Sequence, residues 1–421
     1  MDASIYKTHK LPNGLTLLIE EMPTVHSVAV GFLAGFGSKH ERAVPGGIAH
    51  YIEHMLFKGT LRRSPADIAE QIDSVGGRIN AHTSKEYTSY YAVVLDEHFA
   101  LASDVLADMY LNSAFAEEEI ERERNVILEE INMYEDSPDE KIHDLSCQNI
   151  WDGHILGEPI IGTEKSVKKI TRADMVGCIK NFYTPDNTII AVAGNVRAEE
   201  VLRQVEEKLG AFRGRRQDYQ DEPIKIVPGI KVVKKDTEQV HLCLSTKGVP
   251  YTSADRFTLS LLSSALGGSM SSRLFQKVRE QKGLVYSIYT YPSFYLQTGL
   301  FTLYVGTQLK NAQQVLDISL REFTQIKQNG ITPEELLRAK EQVKGHLVLN
   351  LEDSSSRMSW LLKSYYNYGR INTVEQVMAN VDKVTGDDIQ RLANEIFIKE
   401  DLQLTAIGNF TKGSLFQELD C

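Results

Sequence analysis

Pro45-Gly46-Gly47-Ile48-Ala49-His50-Tyr51-Ile52-Glu53-His54-Met55-Leu56-Phe57-Lys58-Gly59-Thr60 holds the pattern from which the rest of the chain can be read, H-x-x-E-H at 50–54. At about 100° per residue, with His50 at zero, His54 falls at about 40° and Glu53 at about −60°. Ile48, Ile52 and Met55 fall on the other side, at about 160°, about 200° and about 140°. A helix from about residue 46 to 58 would therefore turn an apolar stripe to the protein body. Its polar stripe would hold two imidazoles and a carboxylate. Pro45-Gly46-Gly47 supplies a start and Gly59 a stop. Random placement of the 11 His and 34 Glu among 421 residues predicts about 0.02 such patterns, so chance is a poor explanation.

Two histidines one turn apart can bind one zinc through neutral ring nitrogens. Zinc lowers the pKa of a water that it holds to about 7, within reach of a neighbouring carboxylate base. A third protein ligand is needed, and the acidic helix predicted over 117–135 is the candidate donor. With Ile120 at zero, Ile127 falls at about −20° and Ile131 at about 20°, and the three define a buried stripe. Glu123 and Glu130 lie beside it, at about −60° and about −80°, whereas Glu129 faces water. Geometry selects Glu130. Glu123 is expected either to orient one of the imidazoles or to pair with an arginine.

Further out, the chain repeats itself. Ile170-Thr171-x-x-Asp174, closing at Ala193-Gly194-Asn195, returns as Val384-Thr385-x-x-Asp388, closing at Ile407-Gly408-Asn409. Glu118-Glu119-Ile120 with Arg122 returns as Glu334-Glu335-Leu336 with Arg338. Strand-like Val28–Phe32 has its counterpart in Val240–Ser245. Three echoes in one order point to a duplication. The expected domains are 1–214 and 229–421, joined by a polar, turn-prone linker over 215–228. Within the first half, Leu15–Ile19 and Val28–Phe32 read as strands. Pro65–Val75 reads as a helix, 78–94 as a strand pair, and 97–111 as a further helix. Strands cluster and then helices cluster, which predicts an α+β fold with antiparallel-rich sheets.

Net charge is −11, which argues against nucleic acid and anionic membranes as general partners. No run approaches the roughly 18 apolar residues that span a bilayer, and the start MDASIYKTHK lacks the apolar core of a secretory signal. The four cysteines form no CxxC pair and are expected to be reduced thiols of a cytoplasmic protein.

The stretches 45–60 and Glu121-Arg122-Glu123-Arg124-Asn125-Val126-Ile127-Leu128-Glu129-Glu130 resemble the metal-binding helices of a metallopeptidase family. That family includes pitrilysin, insulin-degrading enzyme and the mitochondrial processing peptidase. The likeness covers essentially the whole chain, and its size is nearest the bacterial, processing-peptidase-like branch. The resemblance implies two related domains, each an antiparallel-rich sheet packed with helices. It implies one zinc per chain on His50, His54 and Glu130, with Glu53 as the base of an endopeptidase acting on unfolded or presequence-like peptides. Asn80 and Ala81, with Thr83, resemble the edge strand that pairs with a bound peptide. Arg279 and Tyr286 match the family's Arg–Tyr pair, which would hold substrate and stabilise the oxyanion. Aligning Lys58-Gly59-Thr60 with Gly267-Gly268-Ser269 sets Leu259, Leu262 and Ser263 opposite His50, Glu53 and His54, so the second half is expected to lack a metal site. A homodimer, or a heterodimer with a related subunit, is implied, each centre being completed in trans inside a chamber. The competing expectation is a non-catalytic scaffold or peptide-binding subunit. That reading predicts a degraded H-x-x-E-H, which is not what this sequence has.

Overall fold

The computed structural model describes residues 6–410 and Leu419. Among these, eleven strands form two sheets. The first contains β1 (Tyr6–Lys10), β2 (Thr16–Glu21), β3 (Ser27–Ala34), β4 (Arg78–Thr83), β5 (Thr88–Leu95) and β6 (Thr188–Gly194). The second contains β7 (Gly229–Lys234), β8 (Val240–Lys247), β9 (Val285–Phe294), β10 (Gly299–Thr307) and β11 (Gln403–Gly408). Their orders are β1-β2-β6-β3-β5-β4 and β7-β11-β8-β10-β9. Every pairing is antiparallel except β2 with β6 and β7 with β11. Apart from the added edge strand β1, the two sheets have the same order and the same position for the parallel pair. The duplication heard in the sequence is thus repeated in the topology, and the fold is the expected mixed α+β class.

Strand β3 shows how the first sheet is covered. It is buried from Val28 to Ala34, which requires packing on both faces. Alternate residues Val28, Val30 and Phe32 enter the main core with Ile48, Ile52, Met55 and Ile127. Ala29 and Leu33 point the other way, to Met358, Leu361 and Leu362. Those three belong to the helix Ser354–Tyr368, whose N-terminus is capped by Asp353 and which ends at Gly369 with φ 64°. Ser354 Oγ meets Ser27 Oγ at 2.9 Å, and Arg357 pairs with the buried Glu20 at 3.1 Å.

The second sheet is treated reciprocally. Its main core gathers Val240, Leu242, Leu244 and helix residues such as Leu259, Leu262 and Ile389. The opposite face takes the helix Pro138–Ile150 through Ile142, which packs with Cys243, Tyr304 and Ile407. Ser146 Oγ meets Ser245 Oγ at 2.8 Å, and Asn149 donates to Thr405 Oγ1 at 2.9 Å.

The compact units therefore cut across the expected halves 1–214 and 229–421. One comprises residues 1–132, 158–221 and 350–371; the other comprises 133–157, 222–349 and 372–421. Each half lends one helix to the sheet of the other. Segment 211–228 has no regular structure but is held: Gln217 N–H donates to Asn181 O, and Val227 N–H to Ile150 O, both at 2.9 Å.

Among the described residues no helix is long and apolar enough to cross a membrane. Cys178 and Cys243 are buried and Cys147 is partly buried, all as free thiols; Cys421 lies outside the described residues. Burial pushes the Cys178 thiol up to about 12, which suits a core residue rather than a nucleophile.

Candidate metal centre

The H-x-x-E-H stretch forms the helix Ile48–Leu56. Ile48, Ala49, Tyr51, Ile52, Met55 and Leu56 are buried, leaving His50, Glu53 and His54 on the less buried side, as the 3.6-residue period requires. Tyr51 lies under the acidic helix Glu117–Asp136 and donates its hydroxyl proton to Ile120 O. This ties the two helices together. Ile120, Ile127 and Ile131 form the buried stripe of the acidic helix, which sets Glu123 and Glu130 towards the histidines.

Three donor atoms converge. His50 Nε2 is 3.8 Å and His54 Nε2 3.7 Å from Glu130 Oε2, and one ligand atom from each of the three residues lies within 4.8 Å of the others. Among the described residues this is the one cluster of His, Cys, Asp and Glu that could hold a metal ion. Tetrahedral zinc at about 2.0–2.1 Å would space its ligands about 3.3 Å apart, so the set needs only a small contraction. Burial, with His54 beside it, lowers the His50 pKa to about 3. The ring is therefore neutral, the form that a metal requires. Its Nδ1 is buried and has no hydrogen-bond partner among the described residues. For His54, Nδ1 meets Glu123 Oε2 at 3.0 Å, which aims Nε2 at the cluster. The second oxygen of Glu123 pairs with Lys58 Nζ at 2.7 Å. Of the two roles open to Glu123, the structure shows contact with an imidazole; its cationic partner is a lysine, not an arginine.

Glu53 stands beside the cluster without joining it. Burial raises its pKa, a shift opposed by the Thr83 hydroxyl, which donates to Glu53 Oε2, and by His54. Glu130 is also raised by burial and pulled down by His54. Thr83 closes β4, which among the described residues is an edge strand of the first sheet, so one strand both touches Glu53 and lies at a sheet edge. On that strand Asn80 pairs with Tyr91 and Ala81 with Tyr90; Asn80 is exposed and Ala81 partly buried.

Arg279 and Tyr286 belong to the other compact unit. The structure brings them to each other, with the Arg279 guanidinium 5.6 Å from the Tyr286 ring centroid and 4.8 Å from that of Phe275. Tyr286 is 73% exposed. In the helix Arg256–Leu266, Leu259, Leu262 and Ser263 are all buried, and Ser263 Oγ meets Thr290 Oγ1 at 3.1 Å. The repeated position holds core residues, not ligands.

Sequence reasoning missed three residues. Thr83 stands out in the sequence only as part of the edge strand, yet it holds Glu53. Lys58 lies one turn past His54, a spacing that could have marked it. Glu41 accepts N–H bonds from Gly47 at 2.7 Å and Ala49 at 2.8 Å. It carries no periodic signal, because it reaches the helix from a 3-10 turn, Ser38–Ala43.

A partly buried two-His, one-Glu cluster with a further carboxylate beside it, on an α+β frame, is the arrangement of a metallohydrolase. Comparison with known proteins narrows the class. Residues 16–164 match the family model described as insulinase, peptidase family M16, and residues 169–343 match the peptidase M16 inactive domain. The uncharacterized zinc protease YmxG of Bacillus subtilis is 42% identical over 401 residues, 95% of this chain and 98% of that protein. An uncharacterized zinc protease of Streptomyces coelicolor is 39% identical, covering 92% of this chain and 86% of its own. Among solved structures, a peptidase M16 inactive domain from Pseudomonas fluorescens superposes with a TM-score of 0.90 at 19% identity, over 96% of this chain and 98% of that one. A protease from Helicobacter pylori gives 0.88 at 22%, over 96% and 99%. The chain belongs to peptidase family M16.

Proposed function

We propose that this chain is a zinc-dependent endopeptidase of unfolded peptides, with one zinc held by His50, His54 and Glu130. The observation that carries the reading is the convergence of His50 Nε2, His54 Nε2 and Glu130 Oε2 beside a fourth group, Glu53, left free to act as a base. The names of the relatives, zinc proteases, support the same metal. When bound, zinc would polarise the scissile carbonyl and make a water more acidic. Glu53 takes a proton from the attacking water and passes it to the leaving amine. Thr83 occupies Glu53 Oε2, which leaves Oε1 for that proton. Burial, by raising the Glu53 pKa, moves the base nearer to its working pH. Strand β4, with Asn80 and Ala81, offers a peptide backbone hydrogen bonds that do not depend on its side chains. Arg279 and Tyr286 would serve the centre of a second chain, in a homodimer or a related heterodimer, by donating to the substrate and its oxyanion.

The test is metal content and peptide cleavage on one preparation, wild type beside Glu53→Gln. The expected result is about one zinc per chain in both, with cleavage lost about 10³-fold or more in Glu53→Gln alone. A wild-type chain that takes up no zinc and cuts nothing, even with zinc supplied, would assign the protein to the scaffold reading.

A further inference from the structure

The helix that presents the two histidines begins in an unusual way. Its N-cap is Gly47, at φ +92°, and it makes no side-chain cap. The position demands glycine on two grounds. The backbone is left-handed there, and a Cβ would lie 2.6 Å from Ile161 O and 3.1 Å from Gly162 Cα. A residue without a side chain cannot accept the unpaired N–H groups of a first helical turn. They are accepted from elsewhere: Glu41 Oε2 takes Gly47 N–H at 2.7 Å and Glu41 Oε1 takes Ala49 N–H at 2.8 Å. Glu41 is 3% exposed, on a turn whose residues Ser38, Lys39 and His40 are buried too. Lys39 anchors the turn through Glu86 at 2.9 Å and Asp221 at 3.3 Å. The next residue after Ala49 is His50.

We infer that Glu41 is a positioning residue for the metal centre: it caps the His50–His54 helix in place of its glycine N-cap and so holds His50 in register with His54 and Glu130. The inference rests on the reading of those three residues as zinc ligands. His50 is the third residue of the helix, inside the turn that Glu41 fixes; His54 lies a full turn further on and is held separately through Glu123. Fraying of the first turn would therefore displace one ligand of three. Both oxygens of Glu41 are used as acceptors, and each keeps a lone pair for this whether or not the carboxyl holds a proton. A glutamine has one acceptor and turns an N–H against the other donor.

The experiment compares full-length wild type, Glu41→Gln and Ser64→Ala. Ser64 caps a different helix of the same unit, Pro65–Asp73, by accepting Asp67 N–H, and serves as a control for general loss of stability. Zinc affinity is read by competition with a chelating dye, and ligand geometry from the visible spectrum of the cobalt-loaded chain. Glu41→Gln should bind zinc about tenfold more weakly and alter the cobalt bands. Ser64→Ala should lower the melting temperature and leave both readings at wild type. Wild-type affinity and spectrum in Glu41→Gln, or equal weakening in Ser64→Ala, would overturn the positioning role. Should Glu41→Gln fail to fold, Glu41→Asp keeps two acceptors on a shorter arm and is expected to weaken zinc binding; unchanged affinity there overturns the proposal. A wild-type chain that takes up no zinc strikes instead at the ligand assignment beneath it.

Discussion

Glu53 and Glu130 are chemically identical, and burial raises the pKa of both, yet their neighbours differ. Glu130 shares its Oε2 with two imidazole nitrogens, while Glu53 receives a hydroxyl proton from Thr83. That hydroxyl favours the ionised carboxylate, so removing it should raise the Glu53 pKa further. With Glu53 as the proposed base, which must be ionised to work, Thr83→Val should move the acid limb of the kcat/KM profile to higher pH. Activity should fall on the acid side of the profile and change little on its plateau, with full zinc content. An unmoved acid limb would separate Thr83 from the chemistry. His50, Glu53, His54 and Glu130 were legible because a helix converts spacing into direction. Thr83 and Glu41 were not, because their bonds run from a strand and from a turn into a helix, and no period in the sequence encodes that meeting.

At the scale of elements, the close fit of a helix to a sheet is the feature that sequence conceals. Ser354–Tyr368 buries Met358, Leu361 and Leu362, but nothing in its sequence says which sheet it covers. The receiving face is built from small residues. Ala29, Ala191 and Ala193 surround Leu18 and Leu33, and Gly31 lies directly beneath the Met358 thioether. A methyl group at position 31 would collide with that side chain. Gly31→Ala should therefore destabilise the protein by about 1–3 kcal/mol. Met358→Ala in the same chain should recover part of that loss, which a double-mutant cycle by urea denaturation can measure. Additive effects would mean that the helix does not seat as described.

For the whole molecule, the repeat predicted two similar halves and the sheets agree, but the boundaries in sequence and in space differ. A polar linker is visible as composition; the exchange of helices is not, since each helix follows its own half in the chain and joins the other in packing. Cutting at the linker should reveal this. Residues 1–221 alone would expose the face of Leu18, Ala29 and Leu33 and should aggregate or bind a hydrophobic dye. Co-expression with residues 222–421 should restore soluble, zinc-binding material. A soluble, zinc-loaded 1–221 fragment would contradict the account.

The same exchange has a consequence for synthesis. A chain emerges from the ribosome N-terminus first, and domains ordinarily fold in that order. Here the unit with the histidines receives its last segment at residue 371, some 150 residues after its first two are finished. At about 5–20 residues per second, the sheet that supports the helix Ile48–Leu56 waits about 8–30 s with one face open. The half with the candidate metal centre is thus translated first and completed almost last, and that interval is when a nascent-chain chaperone would have most to protect.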